Sequence, residues 1–114
     1  MINLKNKKFF VTGGSRGIGA GIVTCLADLG AQVAFTYSTN EAKAQSLLKS
    51  LPGSGHHCFQ LDVTDQTLIE SVTSKVLEIW PDIDGVVNNA GITKDQLILR
   101  MKTDDFNQVL QTNL

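Results

Sequence analysis

The chain has 114 residues, enough for one domain with a hydrophobic core and short for an enzyme that must hold both a dinucleotide and a substrate. Its 10 Lys and Arg against 11 Asp and Glu give a net charge of -1, with no long run of either sign, which argues against nucleic acid and against a polybasic membrane anchor as partners. No apolar stretch reaches spanning length, and Met1-Ile2-Asn3-Leu4-Lys5 lacks the basic-then-apolar layout of a secretory signal, so a cytoplasmic protein with a small-molecule or protein partner is expected.

Lys8-Phe9-Phe10-Val11-Thr12, aromatic and β-branched and ending in Gly13-Gly14, predicts a buried strand. A helix should follow at once, with Ser15 as its cap, Ile18, Ile22, Val23, Leu26 and Leu29 at helical spacing, and Gly30 in the left-handed position past its end. Gly21 inside that helix costs roughly 1 kcal/mol relative to alanine. Residues 32–37 form a second strand and residues 41–51 a second helix, closed by Pro52-Gly53-Ser54-Gly55. Residues 57–61 make a third strand. A third helix starts at Asp65, carries Leu68, Ile69, Val72, Val76, Leu77 and Ile79 on its apolar side, and stops before Pro81. Residues 85–88 are a fourth strand, and a last helix begins near Thr103 or Asp104 with Phe106, Val109 and Leu110 on its apolar face.

Strands alternating with helices at these intervals imply right-handed βαβ units, hence an α/β, Rossmann-type doubly wound parallel sheet. Residues 1–114 read as the N-terminal part of a single dinucleotide-binding domain, with its later strands and helices outside this sequence. The apolar fourth strand would then present an edge, expected to be covered by another copy of the chain in a homo-oligomer, by a missing segment or by a neighbouring molecule. Cys25 and Cys58, without metal-ligand or C-x-x-C spacing, are expected to be buried free thiols in a reducing compartment. His56-His57 reads as a turn pair and Trp80 as an anchoring hydrophobe, and no metal site is expected.

Thr12-Gly13-Gly14-Ser15-Arg16-Gly17-Ile18-Gly19 lies between the first strand and first helix, where a doubly wound sheet presents its phosphate site. Glycine at 13 permits a tight turn, Gly17 keeps the backbone clear for a pyrophosphate, and Gly19 lets the helix approach the strand. NAD-binding relatives of this fold place a carboxylate at the end of the second strand, where it repels a 2′-phosphate. Here that place reads Thr36-Tyr37-Ser38-Thr39, with no acid before Glu41, while Arg16 offers a positive fork suited to phosphate, so NADP(H) is the expected cofactor.

The glycine segment, Asp62-Val63 after the third strand and Asn88-Asn89-Ala90-Gly91 after the fourth together resemble the short-chain dehydrogenase/reductase family, whose T-G-x-x-x-G-x-G, Asp and N-N-A-G motifs occur here in order. Gly91-Ile92-Thr93-Lys94-Asp95, Leu97, Leu99-Arg100-Met101-Lys102 and Thr112-Asn113-Leu114 are similar to the members that reduce 3-oxoacyl thioesters in bacterial fatty-acid synthesis, on acyl-carrier protein, and to those acting on acetoacetyl-CoA. The resemblance implies that Gly13, Ser15, Arg16 and Ile18 line the pyrophosphate and adenosine-phosphate site with Gly17 and Gly19. It places Ser38 near the 2′-phosphate, Asp62 and Val63 at the adenine, and Asn89, Ala90 and Gly91 beside the riboses. Asn88 and Asn89 serve equally well as sheet-end residues satisfying backbone groups. Asn113 matches a helix asparagine that positions a water behind the family's catalytic lysine.

The resemblance also implies a Tyr-x-x-x-Lys pair and a serine for the proton chemistry. Tyr37 is the one tyrosine, and Glu41 stands four residues after it, so the pair is expected outside this sequence and the 114 residues alone are expected to be inactive. A non-catalytic NADP(H)-binding module and another carbonyl reductase of the same family remain the alternatives.

Overall fold

The computed structural model describes residues 3–14, 17–61, 66–88 and 98–101. Its elements run β1 (Lys8–Thr12), α1 (Gly17–Asp28), β2 (Gln32–Tyr37), α2 (Glu41–Ser50), β3 (His57–Gln60), α3 (Gln66–Ile79), β4 (Ile83–Asn88) and β5 (Ile98–Met101). One sheet holds the five strands in the order β3-β2-β1-β4-β5. β1, β2, β3 and β4 are parallel, with α1, α2 and α3 as the described crossovers.

Alternation along the strands sends successive side chains to opposite faces, and each face meets its own helices. Phe10, Ala34 and Val86 pack with Ile69, Val72, Val76 and Trp80 of the α3 side. Val11, Val33, Phe35 and Val87 pack with Val23, Ala27 and Ala44 from α1 and α2. Phe10 and Phe35 are fully buried, one on each face, so the sheet is covered on both sides as a doubly wound sheet requires.

The helix ends follow from local chemistry. Gly30 takes φ 101°, and the Gly30 and Ala31 amides donate to the Ala27 and Leu26 carbonyls at 3.0 and 3.1 Å, closing α1 at the expected glycine. Asn40 caps α2, its side-chain oxygen accepting from the Lys43 amide at 2.9 Å. Trp80 is buried where α3 gives way to Pro81, as an anchoring hydrophobe should be. Asp65, the expected start of α3, and the expected helix from 103 onward lie outside the described residues.

Several expectations need correction. β4 begins at Ile83, two residues earlier than the sequence pattern indicates, because Ile83 is 2% exposed and packs into the α3-side core. Ile18, assigned by spacing to the buried stripe of the first helix, is 71% exposed among the described residues. Cys25 is exposed and Cys58 half-buried; both are free thiols.

The sheet is also not wholly parallel. β5 pairs antiparallel with β4, with Val86 opposite Leu99, Val87 opposite Ile98 and Ile83 opposite Met101, and an irregularity between Ile83 and Val86. The β4 edge thus finds its partner within the chain. Only residues 89–97 separate the two strands, fewer than the dozen or so that a parallel crossover needs, so the return runs antiparallel.

Candidate nucleotide site

Register brings the motif-bearing strand ends to one end of the sheet. Thr12 is level with Asn88 across β1 and β4, and Tyr37 is level with Gln60 across β2 and β3. All four are the last residues of their strands, so Gly13, Ser38 and Leu61 emerge along one rim. The strand order reverses at β1, with β2 on one side and β4 on the other, and a crevice at such a switch point is where open α/β sheets bind ligands.

The glycine turn occupies that point. Gly13 and Gly17 adopt φ 65° and 62°, a region in which an L side chain is strained. Beyond its own helix and chain neighbours, no atom of the described residues lies within 4 Å of where a Cβ on Gly17 would stand. The first turn of α1 carries no acidic residue, so no carboxylate of that turn offsets the positive end of the helix dipole. Gly19 is buried and Ile18 presents an apolar side chain beside the turn. A left-handed glycine turn, a helix N-terminus whose first turn carries no acid and an adjacent apolar side chain suit a ligand that combines phosphates with flat rings.

Two residues matter here that sequence reasoning passed over. Gly14 packs tightly against the sheet and α1: a Cβ on it would stand 2.7 Å from Phe35 Cβ and 2.9 Å from Val23 Cγ2. Thr36, buried in β2, accepts the Gly13 amide on Oγ1 at 2.9 Å and the Gly14 amide on its carbonyl at 2.9 Å. The available signal was a hydroxyl directly after the apolar run Val33-Ala34-Phe35, at a place where a buried polar group needs a partner.

Ser38 is exposed just past β2, and its carbonyl accepts from Gln60 Nε2 at 3.1 Å, tying the β2 and β3 ends together with the Leu61 amide, which donates to the Tyr37 carbonyl at 2.9 Å. Burial pushes the Tyr37 phenol above its usual pKa, with Glu41 and Cys58 adding to the effect, so Tyr37 stays protonated in neutral solution. Of the expected site residues, Gly13, Gly17, Ile18, Gly19 and Ser38 are described and lie at this rim. Ser15, Arg16, Asp62, Val63, Asn89, Ala90, Gly91 and Asn113 lie outside the described residues.

His56 and His57 sit elsewhere, at the start of β3. His56 Nδ1 accepts the Val33 amide at 3.1 Å while Nε2 lies 2.7 Å from the Pro52 carbonyl, so the ring has a structural role. Among the described residues, no three His, Cys, Asp or Glu side chains are grouped to hold a metal ion, and no helix is long and apolar enough to cross a membrane.

The fold and the glycine turn define a Rossmann-type α/β protein. The family model for short chain dehydrogenases matches residues 7–114, and the chain belongs to that family. It is 43% identical over 113 residues to the 3-oxoacyl-[acyl-carrier-protein] reductase FabG of Escherichia coli, covering 99% of this chain and 46% of that protein. A short-chain dehydrogenase/reductase from Serratia marcescens is 34% identical with a TM-score of 0.72, over 94% of this chain and 44% of that one. BdcA from E. coli, solved in complex with NADPH, is 31% identical with a TM-score of 0.66, over 92% of this chain and 40% of that one. The chain thus spans about half the length of the curated relatives it matches.

Proposed function

We propose that this chain supplies the cofactor-binding portion of a cytoplasmic, homo-oligomeric NADPH-dependent enzyme that reduces a 3-oxoacyl thioester to the 3-hydroxyacyl thioester in fatty-acid synthesis. The substrate is carried on acyl-carrier protein or on CoA. The observation that carries the reading is the 43% identity to the E. coli 3-oxoacyl-[acyl-carrier-protein] reductase, sustained over 99% of the chain. The left-handed turn at Gly13 and Gly17 and the acid-free first turn of α1 fit a dinucleotide pyrophosphate.

In this reading Gly13, Ser15, Arg16, Gly17, Ile18 and Gly19 hold the phosphates. Ser38 meets the 2′-phosphate, Asp62 and Val63 the adenine, and Asn89, Ala90 and Gly91 the riboses, with Asn113 in a supporting role. When bound, the reduced dinucleotide supplies a hydride for the 3-keto carbon. The residues of this chain bind and orient; the proton donor of the complete enzyme is expected from outside these 114 residues.

Selection of NADPH over NADH rests on Arg16 and on the lack of a carboxylate from Thr36 to Asn40. The test is the affinity of both cofactors for the intact protein by fluorescence titration. NADPH should bind more tightly, and Arg16→Ala should remove about ten- to a hundredfold of the preference, the worth of a charge-assisted phosphate contact. Equal affinities before mutation would refute the assignment.

A further inference from the structure

We propose that Thr36 is a positioning residue of the nucleotide site, which fixes the glycine turn at a set distance from the end of β2. The inference rests on the cofactor reading above, because it joins the two places where that reading puts the pyrophosphate and the 2′-phosphate.

The backbone ladder between β1 and β2 pairs Lys8 with Gln32, Phe9 with Val33, Phe10 with Ala34 and Val11 with Phe35. At Gly13 the chain turns away with φ 65°, out of the extended conformation that a ladder needs. Thr36 bridges this departure. Its hydroxyl oxygen takes the Gly13 amide and its carbonyl takes the Gly14 amide, both at 2.9 Å. Beside it the missing Cβ of Gly14 lets the turn settle on Phe35 and Val23.

Two consecutive amides of the turn are therefore held by one residue that is 2% exposed, while at Gly17 no described residue beyond its own helix and chain neighbours comes within 4 Å of a Cβ position. Thr36 is also two residues before Ser38, and the strand end beyond it is fastened to β3 through the Ser38 and Tyr37 carbonyls. A shift of the turn relative to β2 would change the span between the two subsites without altering either one. Thr36 thereby acts on the fit of a whole dinucleotide more than on the fit of its adenosine end.

The experiment compares Thr36→Val, which keeps the shape and loses the hydroxyl, with Thr36→Ser, which keeps the hydroxyl. Affinities of the intact protein for NADPH and for 2′-AMP are read by titration, and amide hydrogen exchange over residues 10–17 is followed without ligand. Thr36→Val should speed exchange at the turn and weaken NADPH about tenfold, the scale of one lost hydrogen bond, while 2′-AMP binding holds and Thr36→Ser resembles wild type. Equal weakening of both ligands, or unchanged NADPH binding with faster exchange, would overturn the positioning role. Unchanged exchange would overturn the clamp itself. A wild-type protein that binds neither ligand would instead overturn the cofactor reading, whatever the exchange shows.

Discussion

Gly14→Ala tests the packing of the turn most directly. The added methyl would stand 2.7 Å from Phe35 Cβ and 2.9 Å from Val23 Cγ2, against an ordinary carbon contact of about 3.5 to 4.0 Å. Phe35 Cβ is anchored to a central strand and Val23 is fully buried, so neither can swing aside; the turn must lift by close to an ångström. Overpacking of this kind costs about 1–3 kcal/mol. Lifting also stretches the Gly13 and Gly14 bonds to Thr36, each worth about 1 kcal/mol. The sum, about 3–5 kcal/mol, corresponds to a Tm lower by roughly 12–20 °C in a chain of this size. Thermal and urea unfolding followed by circular dichroism would measure it. A variant as stable as wild type would show that the turn does not rest on β2 and α1 as described.

Gly21→Ala should act with the opposite sign: beyond its own helix, no atom of the described residues lies within 4 Å of its Cβ position in α1, so alanine gains helix propensity of about 1 kcal/mol and a few degrees of Tm, and a loss of stability would contradict the open surface. Thiol labelling with a maleimide should modify exposed Cys25 faster than Cys58, whose pKa is raised by burial and then by Glu41, and whose sulfur lies 3.6 Å from Gln45 Nε2; equal rates in the folded protein would contradict this. His57 stacks on Phe59 and meets Trp80 edge-on, and burial, followed by the nearby His56, lowers its pKa below the ordinary 6.5. Because the unfolded chain binds the proton more readily, the stability contributed by neutral His57 is whole above pH 6.5 and is lost as pH falls through the lower folded value. His57→Gln should flatten the wild-type decline in urea stability over that window, and an unchanged slope would assign the decline elsewhere.

Periodicity and punctuation in the sequence were enough to place β1, β2, α1 and α2 to within a few residues, because each is dictated locally by apolar spacing and by Gly30, Pro52 and the other breakers. The glycine motif was equally legible, since the left-handed φ at Gly13 and Gly17 is a property of the backbone at those positions. Other features depend on what lies across the sheet. Nothing local distinguishes Gly14 from its neighbours until Phe35 and Val23 approach it, and Thr36 gains its role only when register sets β2 beside the turn. Ile18 fits the helical stripe by spacing, yet no described element packs over it and it is exposed. Residues 98–101 have no strong strand pattern of their own and become β5 because the edge of β4 offers unpaired backbone groups. Sequence determined the four parallel strands and the helices between them, the family motifs and the chemistry of the turn, all written in neighbouring residues. Tertiary structure alone decided which residue holds the turn, which glycine cannot carry a methyl and which strand closes the edge, because each is a contact between segments far apart in the chain.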